Sequence, residues 1–127
     1  MKIQTTNNTP LETRATVTES TKTIYSIDGQ KLKRLLEASL LWLKANQQLV
    51  NSLNVFPVPD GDTGTNMLLT MQAAFNEIAN SSESNIGKMA KDIAQGSLMG
   101  ARGNSGVILS QIWRGFARAL DNLPEMD

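Results

Sequence analysis

From Ser26 onward the apolar residues fall into helical stripes. Leu32, Leu35, Leu36, Leu40 and Leu43 recur at intervals of three and four, the spacing of one helix face, and Asp28 stands where an N-cap acceptor belongs. Asn46 interrupts that stripe, and a short helical turn carrying Leu49, Val50 and Leu53 follows. Thr63 or Thr65 opens the next predicted helix, with Leu68, Met71, Phe75 and Ile78 along one side. After the polar connection 80–85, a helix from about Ile86 presents Ile86, Met89, Ala90 and Ile93 as its buried stripe. The pattern breaks around Gly100 to Asn104, and Ser105 starts a last predicted helix carrying Leu109, Ile112, Phe116 and Leu120. The leucine and methionine stripes are expected to form the core, with Trp42 and Trp113 packed as well. No strand alternation and no internal repeat occurs, so the expected fold is all-α: an antiparallel bundle or barrel of four or so amphipathic helices.

Residues 1–25 lack either period and are rich in Thr and Asn, which predicts a disordered tail before a globular part, 26–127. The 127 residues suffice for one core, and 40% hydrophobic with 19% charged residues fits a globular class. A formal net charge of zero argues against nucleic acid held by general electrostatics. No run approaches the ~18 apolar residues of a membrane span. The N-terminus has no apolar secretory segment, so a cytoplasmic location is expected. The chain contains neither cysteine nor histidine. Disulfides, thiolate or imidazole metal sites and Ser-His or Cys-His catalysis are thereby excluded within it, and any metal must take oxygen ligands.

The candidate chemistry lies in Asn54 to Met67, NVFPVPDGDTGTNM. Pro57 and Pro59 forbid a regular helix and disfavour a central strand, so the approach is a stiffened loop. Asp60 and Asp62 stand two positions apart on a turn, where both carboxylates can face one space. Their repulsion is relieved by a bound dication. Magnesium takes few protein carboxylates and completes its shell with water and phosphate oxygens. Gly61 and Gly64 let the backbone come close to a ligand, and Thr63, Thr65 and Asn66 offer donors at a helix N-terminus, where phosphate is favoured. Asp-Gly-Asp and Thr-Gly are also common turn and capping pairs, and the extended pattern with Asn54, both prolines and Asn66 is what favours the site.

Two other acidic motifs fail on spacing. An EF-hand loop begun at Asp60 would place Gly64 and Met71 where a ligand and a glutamate are required. An aspartyl-phosphate DxDxT motif needs an apolar strand before its first Asp; here Val58-Pro59 precedes it, and Gly64 replaces the threonine. About 40 residues on, GARGNSG at Gly100 to Gly106 forms a second glycine-rich turn before a helix, with Asn104 and Ser105 as donors. It is not a P-loop, since no Gly-Lys-Ser/Thr follows, nor a Rossmann turn, since a helix precedes it. Taken alone it suits close helix packing and capping as well as a ligand, and Arg102 suits a capping, solvated or phosphate-neutralising role.

Together, VFPVPDGDTGTNM and GARGNSGVILSQ closely resemble the nucleotide-binding domain of the dihydroxyacetone kinase L-subunit family, over roughly Ile27 to Leu120. The long first motif is most similar to the N-terminal domain of the bacterial fatty acid kinase branch. The resemblance implies part of an eight-helix antiparallel barrel that binds ATP or ADP with two magnesium ions in a cup at one end. It implies metal ligation at Asp60 and Asp62. A third acid often lies a few residues earlier in the family, and the nearest position here is the neutral Asn54. It carries nucleotide contacts onto Thr63, Gly64, Thr65 and Asn66, and onto Asn104, Ser105 and Gly106, with no catalytic side chain assigned. The substrate, a fatty acid or a dihydroxyacetone-like ketose, is expected on a separate domain or partner protein, and a homodimer through later regions is a further expectation.

The expected activity is therefore ATP-dependent phosphoryl transfer, which needs positioning and electrostatics rather than histidine. Family domains run well beyond Asp127, so the alternative is a truncated, non-catalytic fragment keeping only part of the Mg-nucleotide site. A third possibility is an interaction scaffold in which the acidic turn is incidental.

Overall fold

The computed structural model describes residues 26–55 and 60–127. The expected tail and the Pro57–Pro59 approach lie outside the described residues. Five helices follow in order: α1 (Gly29–Ala45), α2 (Gln47–Ser52), α3 (Thr63–Ile78), α4 (Ile86–Met99) and α5 (Gly103–Ala119). α1 and α5 each pack on α3 and α4, which form the centre, and α2 packs chiefly on α3. The long helices alternate in direction, making an all-α antiparallel bundle. Among the described residues the one β-type pairing is a single antiparallel bridge between Ile27 and Met126, and no helix is long and apolar enough to cross a membrane.

Local chemistry sets the helix starts. Asp28 caps α1, accepting from Lys31 N at 3.0 Å, and Asn85 caps α4, accepting from Lys88 N at 2.9 Å. Each satisfies one of the donors a helix N-terminus leaves unpaired. Asn46 ends α1: its backbone N–H turns back onto Trp42 and Leu43 carbonyls and its side chain donates to Trp42 O. The segment after α5 folds across the end of the bundle where α1 and α4 begin. Leu123 and Pro124 carbonyls accept from Gly87 and Ile86 N–H, both at 3.0 Å, and Met126 pairs with Ile27.

Between the two ends lies the core. Leu36, Ala74, Ile78, Ile86, Met89, Ala90 and Ile93 are almost wholly buried, with Leu32, Leu40 and Met71 beside them. The whole predicted α4 stripe is thus buried. Trp113 stands edge-on to Phe116, ring centroids 5.4 Å apart, and its indole N–H donates to Met71 Sδ at 3.2 Å.

Other expected core positions face outward, each for a geometric reason. Trp42 is 73% exposed, because it sits about 200° around α1 from Leu40. On α5 the buried face runs through Gly106, Ser110 and Ala117, which leaves Ile112 on the outside, 62% exposed. α2 turns its polar side, Gln47 and Asn51, to α3, so Leu49 and Leu53 are exposed. Leu35 is likewise exposed rather than core. The last helix begins at Gly103, two residues before Ser105, with Arg102 as its N-cap.

A fully buried hydroxyl joins α3 to the start of α5. Thr70 Oγ1 donates to Asn66 O at 2.8 Å within its own helix and accepts from Arg102 N, 32 residues away, at 3.1 Å. Thr70→Val keeps the shape but strands the Arg102 N–H, and should cost about 1–3 kcal/mol in chemical denaturation with faster amide exchange at Arg102; Thr70→Ser should retain that protection. For the core, Ile93→Ala should cost about 2–5 kcal/mol, whereas Ile112→Ala, the same truncation on the outer face, should stay within about 0.5 kcal/mol.

Candidate functional site

The acidic turn meets the bundle at the start of α3. Gly61 has φ +66°, a left-handed conformation glycine adopts without steric cost, and the Asp62 N–H donates to Asn54 Oδ1 at 3.2 Å. Asn54 thus braces the turn. Asp62 is the N-cap residue of α3, and its carbonyl accepts from Asn66 N at 2.8 Å, yet its side chain makes no cap hydrogen bond. The donor it would ordinarily take is used elsewhere: Thr65 N donates to Asn51 Oδ1 at 3.0 Å. Asp60 and Asp62 are both exposed, and neither carboxylate has a hydrogen bond or ion pair among the described residues.

Thr65 is held from the α2 side by two amides. Gln47 Nε2 and Asn51 Nδ2 donate to its Oγ1 at 2.9 and 3.1 Å. A hydroxyl has two acceptor sites and one proton. With both acceptor sites used, Thr65 can only donate, and nothing among the described residues accepts its proton. Gly64 makes this docking possible, since a β-carbon there would lie 2.9 Å from Asn51 Oδ1 and 3.1 Å from Val50 Cβ.

The second glycine segment reaches the same place. Gly103, at φ +68°, lies against the Asn66 side chain so closely that a β-carbon would collide with Asn66 Nδ2. A β-carbon on Gly106 would collide with Thr70 Oγ1. The starts of α3 and α5 are therefore neighbours. Among the described residues no acceptor takes the N–H groups of Thr63, Gly64, Gly103, Asn104 or Ser105. Two helix N-termini with unpaired donors side by side make a strongly anion-attracting surface. Among the described residues, neither Arg102 nor any other side chain caps α5.

Thr63, Gly64, Thr65, Asn66, Asn104, Ser105 and Gly106 thus gather at one end of the bundle, with Asp62 and the Asn54 brace at its edge. Among the described residues no three acidic side chains form a ready-made metal cage. The chemistry available is two hard carboxylates and a set of neutral donors, which fits a hydrated cation carried by an anionic ligand rather than an all-protein metal centre. A groove of about 540 Å³ between α4 and α5, lined by Lys91, Arg114, Arg118 and Asp121, shares no residue with this site. Sequence reasoning missed Gln47, Asn51 and Thr70. The available signal was polar residues at helical spacing, Gln47 with Asn51, and a threonine among the apolar positions of α3.

A protein-family model described as "DAK2 domain" matches residues 57–127. The chain is 48% identical over 104 residues to uncharacterized proteins of Staphylococcus aureus strains USA300, NCTC 8325 / PS 47 and bovine RF122/ET3-1. That alignment covers 82% of this chain and 19% of each relative, so the chain spans about a fifth of their length. With the two glycine-punctuated segments joined in space and the family match running through both, the chain belongs to the DAK2 domain family, within the dihydroxyacetone kinase group.

Proposed function

We propose that this bundle end binds ATP or ADP with magnesium, as the nucleotide module of a kinase-type phosphotransferase. The observation that carries the reading is the junction of two helix starts that each keep unpaired N–H groups, made through Asn66–Gly103 and Thr70–Arg102, beside an Asp62 carboxylate that makes no cap bond. Asp60 and Asp62 would hold the magnesium ions, whose charge neutralises the polyphosphate.

Thr63, Gly64 and Thr65 from one side, and Asn104, Ser105 and Gly106 from the other, orient phosphate oxygens. Backbone N–H groups and the donor-only Thr65 hydroxyl supply the contacts, and Asn66 spans the junction. Asn54 acts first as the brace of the acidic turn. Bound magnesium supplies charge neutralisation of the phosphates. The protein's part is to fix donors in advance where charge accumulates, which is most of what phosphoryl transfer asks of it. The acceptor, a fatty acid carboxylate or a ketose hydroxyl, comes from another domain or a substrate-carrying partner.

Calorimetric titration with ATP and magnesium tests this. The expected result is magnesium-dependent binding that falls at least about tenfold in Asp60→Asn and in Asp62→Asn, with unchanged affinity in both variants overturning the metal assignment. At ligand about 100-fold above Kd the melting midpoint of the wild-type chain should rise by the equivalent of about 2.7 kcal/mol. Binding without turnover by these 127 residues is the outcome that a partial site gives, and no heat at all would favour the scaffold reading.

A further inference from the structure

We propose that Asn51 is a positioning residue that caps α3 in place of Asp62, and so keeps the Asp62 carboxylate available to a cation; its use by a cation rests on the reading above, the cap exchange does not. The molecule carries its own controls. Asn46, the N-cap of α2, has φ −108°, ψ 12° and makes no side-chain cap bond, whereas at two other described N-caps the cap is made locally: Asp28 has φ −99°, ψ −173° and accepts from Lys31 N, and Asn85 has φ −77°, ψ 121° and accepts from Lys88 N. Both have the extended backbone that aims a side-chain oxygen at the third N–H of the helix. Asp62 instead has φ −120°, ψ 8° and makes no such bond.

Four hydrogen bonds hold the exchange in place. The third N–H of α3, that of Thr65, is taken by Asn51 Oδ1 at 3.0 Å. Asn51 Nδ2 and Gln47 Nε2 fasten to Thr65 Oγ1, so the amide is gripped at both of its ends. On the other side, Asn54 Oδ1 fixes the Asp62 N–H. Gly64 leaves the space, because a β-carbon there would crowd Asn51 Oδ1 to 2.9 Å.

The electrostatic consequence follows from the identity of the cap. A carboxylate on the helix N-terminus would cancel part of its positive end and be spent in doing so. A neutral amide satisfies the same donor without adding negative charge. Both partners of the site, the carboxylate for a cation and the helix end for an anion, are thereby left in service.

A double-mutant cycle in metal-free buffer tests the exchange. Asp62→Ala in the otherwise wild-type chain should move the melting midpoint by less than about 2 °C, since no cap is lost. In an Asn51→Ala background the freed Asp62 takes over the cap, and Asp62→Ala should then lower the midpoint by a further ~4–8 °C. Equal effects in both backgrounds would overturn the proposal. Manganese titration followed by electron paramagnetic resonance gives the second readout. Asn51→Ala should bind about tenfold more weakly, while in an Asn51→Asp background, which keeps an acceptor for Thr65 N–H, Asp62→Ala should again shift the midpoint by less than about 2 °C. Unchanged manganese affinity in Asn51→Ala would also overturn it. Absence of manganese binding in the wild type would overturn the metal reading, and the cycle would still decide the cap exchange. Should Asn51→Ala fail to fold, NMR coupling across the hydrogen bond in the wild-type chain decides: coupling of Thr65 N–H to the Asn51 side-chain carbonyl supports the exchange, and coupling to the Asp62 carboxyl refutes it.

Discussion

The candidate site exists because one buried hydroxyl has two partners. Thr70 Oγ1 gives its proton to the Asn66 carbonyl and takes one from the Arg102 N–H. The first bond lies inside α3, one turn from its start; the second reaches the residue that opens α5. A polar group with no exposure cannot fall back on water, so neither bond can be dropped without leaving an unpaired atom in the interior. Packing of α3 against α4, and of α4 against α5, brings the two helix starts to the same end of the bundle. Thr70, with Gly103 and Gly106 offering no side chain to keep them apart, sets the last few ångströms.

That arrangement explains how a chain of zero net charge can offer an anion-attracting surface. The attraction comes from backbone dipoles and unpaired N–H groups, not from a cluster of lysines and arginines. The basic groove between α4 and α5 is a separate feature on the flank. At the site itself the side chains are short and neutral apart from two aspartates and Arg102, and their order is secured by a shell of amides. Gln47, Asn51 and Asn54 each spend hydrogen bonds on a neighbour's backbone or hydroxyl. Such an inner shell of donors with fixed directions loses little freedom when an anion arrives.

Much of the fold was legible in the sequence because helical periodicity is a local property. The α4 stripe, with Ile86, Met89, Ala90 and Ile93 wholly buried, and the cap at Asp28 follow from residue type and spacing alone. Periodicity failed where partners, not patterns, decide. Trp42 and Ile112 are as apolar as their neighbours, yet among the described residues no helix covers their side of α1 or α5. The candidate site residues stood out through the extended motif with Asn54, both prolines and Asn66, since Asp-Gly-Asp and Thr-Gly alone are common turn pairs. Asn51 and Thr70 escaped notice because their importance lies in pairing over 14 and 32 residues, with Thr65 and with Arg102. Nothing in a hydropathy pattern reports that kind of match.

The up-and-back path from α3 through α4 to α5 has an engineering consequence. The two glycine segments meet only because α3 and α4 traverse the bundle in opposite directions and arrive in phase. One residue added within α4 would swing everything beyond it by about 100° and carry Gly103 off Asn66. The bend from Asn80 to Asn85, at the opposite pole, sets no such phase: its Ser81, Glu83 and Ser84 carbonyls serve α1, and the chain between them is polar and surface-bound. A reporter or affinity loop belongs at the exposed Ser82 of that bend, between the carbonyls tied to α1, and nowhere along α3 or α4 between it and the two helix starts.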